Sequence, residues 1–263
     1  MESNYNFLSG KELTDKQLQK LMQDVLVDVK KRSQIAKKKL ESIQLQEIKE
    51  AKIRFSKRLS LNEIWQTNFN RYCRSKRSGK TSITTQILKH EWIKGCVYIN
   101  PDQIAQDEFG DWNNVENVFK AAKLAEERRL HCISNKESLI FETVFSASDK
   151  IDFLDLAKNN GYFIRLFFVG TNHPAINANR ITHRVLEGGH DVPISKIISR
   201  YTKSISNCCV VSTFVDRLYV YDNSEDYKEA KLLFRASNGK LEKTYNDVNS
   251  WATPILESLE KLI

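Results

Sequence analysis

Leu18, Leu21, Met22, Val25, Leu26 and Val29 recur at helical spacing and make one apolar stripe. Thr14-Asp15-Lys16-Gln17 just ahead of it fits a capping box, in which the Thr oxygen and the Gln side chain satisfy helix-start donors. Beyond it Lys30, Lys31, Arg32, Lys37, Lys38 and Lys39 alternate with Ile35, Leu40, Ile43 and Leu45. Such a helix reads as a solvated face, with a nucleic-acid arm or a docking helix as the alternatives. About 60 residues without a sheet pattern bury little alone, so this segment leans on a partner or on the rest of the chain.

From Thr81 onward the pattern changes. Cys96–Ile99, Ser138–Phe141, Phe163–Val169 and Leu218–Tyr221 are short, nearly continuous apolar runs. They suit strands buried on both faces of a parallel sheet. Helical patterns fill the gaps over Val115–Leu130, Ile151–Asn159, Ala175–Leu186 and Pro193–Ser206. This alternation predicts an α/β three-layer fold with a central, mainly parallel sheet, preceded by a basic helical N-terminal segment. The expected organisation is a helical segment over 1–62 and a larger domain over 63–263.

Charge supports that division. Residues 1–80 hold 19 Lys and Arg against 9 Asp and Glu, whereas the remaining residues hold 22 against 24. The net charge of +8 therefore comes from the first part, and the near-neutral body argues against nucleic acid as its partner. No run of 18 apolar residues predicts a membrane span, and the start lacks a secretory pattern, so a cytoplasmic protein is expected. Five cysteines without a CxxC pair fit a reduced chain. No His/Cys cluster has zinc spacing, and Cys208-Cys209 reads as packing.

In parallel sheets ligands sit beyond the carboxyl ends of the strands. There the sequence places Asn100-Pro101-Asp102, Glu142-Thr143 and Asp222-Asn223-Ser224. Each set alone reads as a turn or helix cap; three at equivalent ends of one sheet point to a shared site.

Ser78-Gly79-Lys80-Thr81 is the second half of a Walker A phosphate loop. Glycine lets backbone N–H groups approach phosphates, Lys80 neutralises the β/γ oxygens, and the Thr81 hydroxyl binds Mg²⁺. A helix beginning near Ser82 adds its positive end. The first glycine of the loop is replaced by Arg74, and the strand expected to lead into it, residues 68–73, carries Asn and Arg. Read one nucleotide later, the codons for residues 68–77 can encode Ile-Leu-Ile-Val-Ile-Ala-Gly-Pro-Asn-Gly, which completes both strand and loop. We take this as a hypothesis of a frameshift junction near Arg77/Ser78; a gene with no shifted frame encoding the loop refutes it.

Tyr98-Ile99-Asn100-Pro101-Asp102, Phe141-Glu142-Thr143, Arg184 to Pro193 with its Gly188-Gly189-His190, Arg200-Tyr201 and Tyr221-Asp222-Asn223-Ser224 together resemble the zeta toxin family of P-loop kinases. The resemblance runs from about Ser78 to Ser224. It implies ATP-dependent, Mg²⁺-dependent phosphorylation of a hydroxyl on a nucleotide sugar, UDP-N-acetylglucosamine being the substrate class. It implies Asp102 as general base and Glu142 and Thr143 as substrate-binding residues. Ser78, Gly79, Lys80, Thr81, Ser82 and Asn223 bind ATP in this reading. Lys80, Arg184 and Arg200 act on the transferring phosphates, with Arg180 as a further candidate. His190 is read as orienting its turn. Family members are often toxins checked by a small helical antitoxin, and the segment over 1–62 has suitable length and character to be one. Two other readings stand beside the kinase: a P-loop protein impaired by its damaged loop that only binds, and a basic nucleic-acid-binding module.

Overall fold

The computed structural model describes residues 15–59, 93–110, 114–186 and 192–260. The domain boundary expected at 62 lies outside them. The chain divides into two compact units, one ending at Leu45 and the other running from Gln46 onward. Helix α1 (Asp15–Leu59) carries the apolar stripe read from the sequence. In the first unit Met22, Val25, Leu26 and Val29 of that stripe are each more than half exposed.

In the second unit, Ile48 and Ala51 of α1 are buried. The α/β body then follows in order: β1 (Val97–Ile99), α2 (Pro101–Phe109), α3 (Val115–Asn135), β2 (Leu139–Phe141), α4 (Asp149–Asn159), β3 (Arg165–Gly170), α5 (Pro174–Leu186), α6 (Ile194–Val211), β4 (Arg217–Asp222), β5 (Lys231–Ser237), β6 (Lys240–Thr244) and α7 (Thr253–Glu260). β1 runs parallel to β2, and β3 parallel to β4, as the alternating pattern predicts. Among the described residues β1 and β2 form one sheet, and β3 to β6 another.

β5 and β6 extend β4 antiparallel, an addition to the expected parallel arrangement. Their turn is Asn238-Gly239 with φ of +47° and +76°, the two positive angles a type I′ hairpin requires. All of β2, and β3 from Leu166 to its end, are buried, which is why their sequences are continuously apolar. β4 differs from the expected two-face burial. Leu218, Val220 and Asp222 are buried, while Arg217, Tyr219 and Tyr221 are half-buried, so the strand alternates. Tyr219 stacks on Phe167 of β3 at 4.7 Å between ring centroids.

At the end of β3, Gly170 meets the ring of Trp251. A Cβ there would stand 2.3 Å from one ring carbon and 2.4 Å from another. Trp251 is itself buried against Phe168, so the ring has nowhere to retreat. Gly170→Ala is expected to cost about 1–3 kcal/mol through overpacking, read from denaturant unfolding, and a concurrent Trp251→Leu should recover part of the loss.

Cys132, Cys208 and Cys209 are buried. Burial pushes the Cys209 thiol up to about 12; burial and then the Glu137 carboxylate push Cys132 up to about 11. Free thiols titrate near about 8.5, so above that pH the unfolded chain has released protons that the native chain keeps. Stability should therefore fall as pH rises above about 9, and Cys209→Ala should flatten the slope in denaturation midpoints followed across that range.

Candidate active site

β1 and β2 lie in register, with Ile99 opposite Phe141, so the residues after each strand emerge side by side. The Glu142 N–H donates to the Ile99 carbonyl at 3.4 Å and carries the ladder one step further. Asn100 caps α2, accepting from the Asp102 N–H at 3.0 Å, with Pro101 in the first turn and Gly110 closing the helix in the left-handed region. Asp102 is thus fixed in the first turn of α2, where a carboxylate is favoured by the helix dipole.

Glu142 is buried at 6% exposure. The Tyr98 hydroxyl donates to its Oε1 at 3.0 Å, and the Asn100 amide donates to that hydroxyl at 3.1 Å. This relay orients the carboxylate. The loop that follows is held by buried Asn207 of α6, whose amide donates to the Phe145 and Ala147 carbonyls at 3.0 and 3.4 Å.

Asp102, Glu142 and Thr143 line one cavity of about 180 Å³. Arg129 of α3 and Lys150 of α4 line it too, although the sequence had marked neither. Arg129 lies in the charged run Glu126-Glu127-Arg128-Arg129, which reads as solvated helix surface. A carboxylate in reach of a hydroxyl, a second oriented carboxylate and two cations can bind a polyol with an anionic substituent and take a proton from it.

Asp222-Asn223-Ser224 builds something different. Asp222 is 7% exposed. It accepts from the Ser224 N–H at 2.7 Å, the Ser224 hydroxyl, the Asn249 amide and the Trp251 indole at 3.4 Å. Ser224 Oγ in turn accepts from the Asn172 N–H at 2.7 Å, tying the ends of β3 and β4 together. Burial, and secondarily the Asp222 charge, push the Tyr201 phenol well above its ordinary value. Asn223 is buried, and its N–H donates to the Gly170 carbonyl at 2.9 Å. A second, polar cavity of about 320 Å³ adjoins this knot, lined by Asn172, Asp222, Ser224 and Asn249 among others.

Arg180 is committed to the loop after β4. Its Nη1 donates to the Asn223 carbonyl at 2.9 Å, and its Nε donates to Asp226 at 2.8 Å. That engagement sets it apart from Arg200. Arg200 is half-buried on α6 and makes no hydrogen bond or ion pair among the described residues. Arg184 lies on α5, but its side chain is outside the described residues, as are Ser78, Gly79, Lys80, Thr81, Ser82 and His190. Neither Asn223 nor Arg200 lines the cavity that Asp102 and Glu142 share. Among the described residues no group of three or more His, Cys, Asp or Glu could hold a metal ion, and no helix is long and apolar enough to cross a membrane.

The family model described as Zeta toxin matches residues 75–231. An uncharacterized protein of Haemophilus influenzae is 35% identical over 130 residues, which cover 49% of this chain and 89% of that protein. Among solved structures, one from the PezAT chromosomal toxin–antitoxin system of Streptococcus pneumoniae is 18% identical with a TM-score of 0.48, covering 82% of this chain and 94% of that one. Another, AvrRxo1-ORF1:-ORF2 with ATP, is 18% identical with a TM-score of 0.49, covering 78% of this chain and 68% of that one.

Proposed function

Because the chain belongs to the zeta toxin family of P-loop kinases, we propose that it transfers the γ-phosphate of ATP to a hydroxyl of a nucleotide sugar of the UDP-N-acetylglucosamine class. The observation that carries this reading is the meeting of Asp102, Glu142 and Thr143 at one cavity, brought there by the parallel register of β1 and β2. Asp102, which lines the cavity from the first turn of α2, takes the hydroxyl proton as general base. Glu142, oriented by Tyr98, accepts from the acceptor's hydroxyl or amide groups, and Thr143 adds a neutral contact. Lys80 neutralises the β/γ oxygens, and Ser78, Gly79 and Ser82 complete the phosphate cradle. Thr81 would hold Mg²⁺, which would supply further charge neutralisation. Arg184 and Arg200 reach the transferring phosphates with bidentate forks, and Asn223 supports the nucleotide end.

In a cytoplasmic setting such a kinase acts as a toxin, restrained by a small helical antitoxin. The helical segment over 1–62, with its exposed apolar stripe, fits that part. Separate expression of 1–62 and 63–263 tests it: a stable complex supports the assignment, and absence of binding removes it.

Labelled γ-phosphate supplied as ATP–Mg²⁺ should appear on UDP-N-acetylglucosamine, and Lys80→Ala should abolish the transfer. One observation favours a second reading. Arg74 stands where the loop needs its first glycine, and the family match begins at the next residue. Label that stays on ATP in the presence of acceptor would favour an impaired loop and a protein that only binds.

A further inference from the structure

On α3 Ala121, Ala125, Arg129 and Cys132 are buried at spacings of three or four residues, with Ile133 buried beside the last. Arg129 thus occupies the core stripe of its helix, at 4% exposure, while Glu126, Glu127 and Arg128 beside it are exposed. A leucine or methionine would fill such a position without the cost of desolvating a guanidinium. Two aromatic faces offset part of that cost. The guanidinium carbon lies 5.0 Å from the centroid of the Phe141 ring and 5.5 Å from that of Phe153. Those two rings meet edge to face at 5.5 Å, so they also fix the guanidinium in place.

The charge held this way lines the cavity that contains Asp102 and Glu142. Lys150, mostly withdrawn from solvent at 16% side-chain exposure and paired with Asp149, lines the same cavity. An acceptor identified only by its hydroxyls would need neither cation. A desolvated guanidinium and an ammonium in one small cavity are suited to phosphate oxygens, the guanidinium by its planar fork and the ammonium as a point charge.

We infer that Arg129 and Lys150 form the anion subsite of the acceptor cavity, so that it selects a sugar already bearing phosphate over the neutral sugar. The inference rests on reading this cavity as the acceptor site, and it adds the residues that enforce that choice. α3 and α4 supply the charge that recognises the acceptor, and the ends of β1 and β2 supply the groups that act on its hydroxyl.

The test uses the full chain carrying Lys80→Ala, so that the nucleotide loop does not capture the probe. Inorganic pyrophosphate, UDP-N-acetylglucosamine and N-acetylglucosamine are titrated into this protein and into the same protein with Arg129→Met. Pyrophosphate should bind, and Arg129→Met should weaken it by about 30-fold or more, the loss expected when one partner of a buried charge pair is truncated. UDP-N-acetylglucosamine should weaken by a similar factor, and its preference over N-acetylglucosamine should collapse. Melting temperature reports whether Arg129→Met folds; if it does not, Lys150→Met gives the same comparison from a less buried lining position. Pyrophosphate that fails to bind, or binds the variant and its parent alike, overturns the inference. Pyrophosphate weakened by the variant while UDP-N-acetylglucosamine binds neither protein leaves the anion subsite standing and removes the nucleotide-sugar assignment instead.

Discussion

Asp102→Asn should lower the rate of phosphoryl transfer by about 10²–10⁴-fold while leaving ATP binding where it was and costing no more stability than the about 0.3–1 kcal/mol of its helix-dipole interaction. The chemistry needs a group that accepts the hydroxyl proton as the phosphorus–oxygen bond forms, and asparagine cannot. The substitution spares the helix cap. Asn100, not Asp102, caps α2, through its side chain and the Asp102 backbone N–H, which the variant retains. The Asp102 side chain is exposed, so no core packing goes with it. Steady-state rates at saturating ATP and acceptor, beside calorimetric ATP titrations, give the comparison. A variant that turns over at the parental rate would show that another group takes the proton; Glu142, held by Tyr98, would be the next to test.

The second large effect concerns folding. Asp222→Ala should cost about 3 kcal/mol, because it strands the buried Trp251 indole and several partly buried donors at once, and each unsatisfied buried donor costs about 1–3 kcal/mol. The Ser224 backbone and hydroxyl, the Asn249 amide and the Trp251 indole all lose their acceptor. They come from segments far apart in the chain, so the loss also unties the end of β4 from the stretch that enters α7. Asp222→Asn retains the volume and one carbonyl acceptor and should cost less than half as much. Denaturant unfolding of the two variants separates the contributions. Near-equal, small losses would mean that water satisfies those donors as well as the carboxylate does.

The same cluster shows where sequence reasoning stops. Tyr221-Asp222-Asn223-Ser224 is visible as polar residues after an apolar run, but nothing local says that Asn249 and Trp251 will converge on Asp222. β2 and β3 were legible because strands buried on both faces must be apolar throughout. β4 was legible as a strand but not in its burial, since Tyr219 and Tyr221 are apolar enough to hide the alternation. The β5–β6 hairpin carries its own signal in Asn238-Gly239, flanked by Lys231–Ser237 and Lys240–Thr244. α2 is harder: only Ile104 and Ala105 are buried along its nine residues, too few to set up a helical period.

In the candidate site, Asp102, Glu142 and Thr143 could be found because parallel strands deliver their following residues to one edge. Arg129 could not. A helix with two consecutive arginines does not reveal which one turns inward, and here Arg128 pairs with Glu108 at the surface while Arg129 goes under Phe141 and Phe153. The same limit applied to Arg180, which reads as a phosphate-binding candidate by type and spacing. Its partners, Asn223 and Asp226, lie more than forty residues away.

The most direct test of the central claim, that this body is a nucleotide-using kinase, is calorimetric titration of ATP–Mg²⁺ into two proteins. One is the chain as it stands; the other carries Ile-Leu-Ile-Val-Ile-Ala-Gly-Pro-Asn-Gly at residues 68–77. The repaired chain should bind ATP–Mg²⁺ at least as tightly as the parent, and Lys80→Ala should abolish binding wherever it occurs. Binding by the repaired chain alone would mark the parent as a kinase that lost its phosphate loop. If neither protein binds ATP–Mg²⁺, the nucleotide chemistry assigned here is wrong.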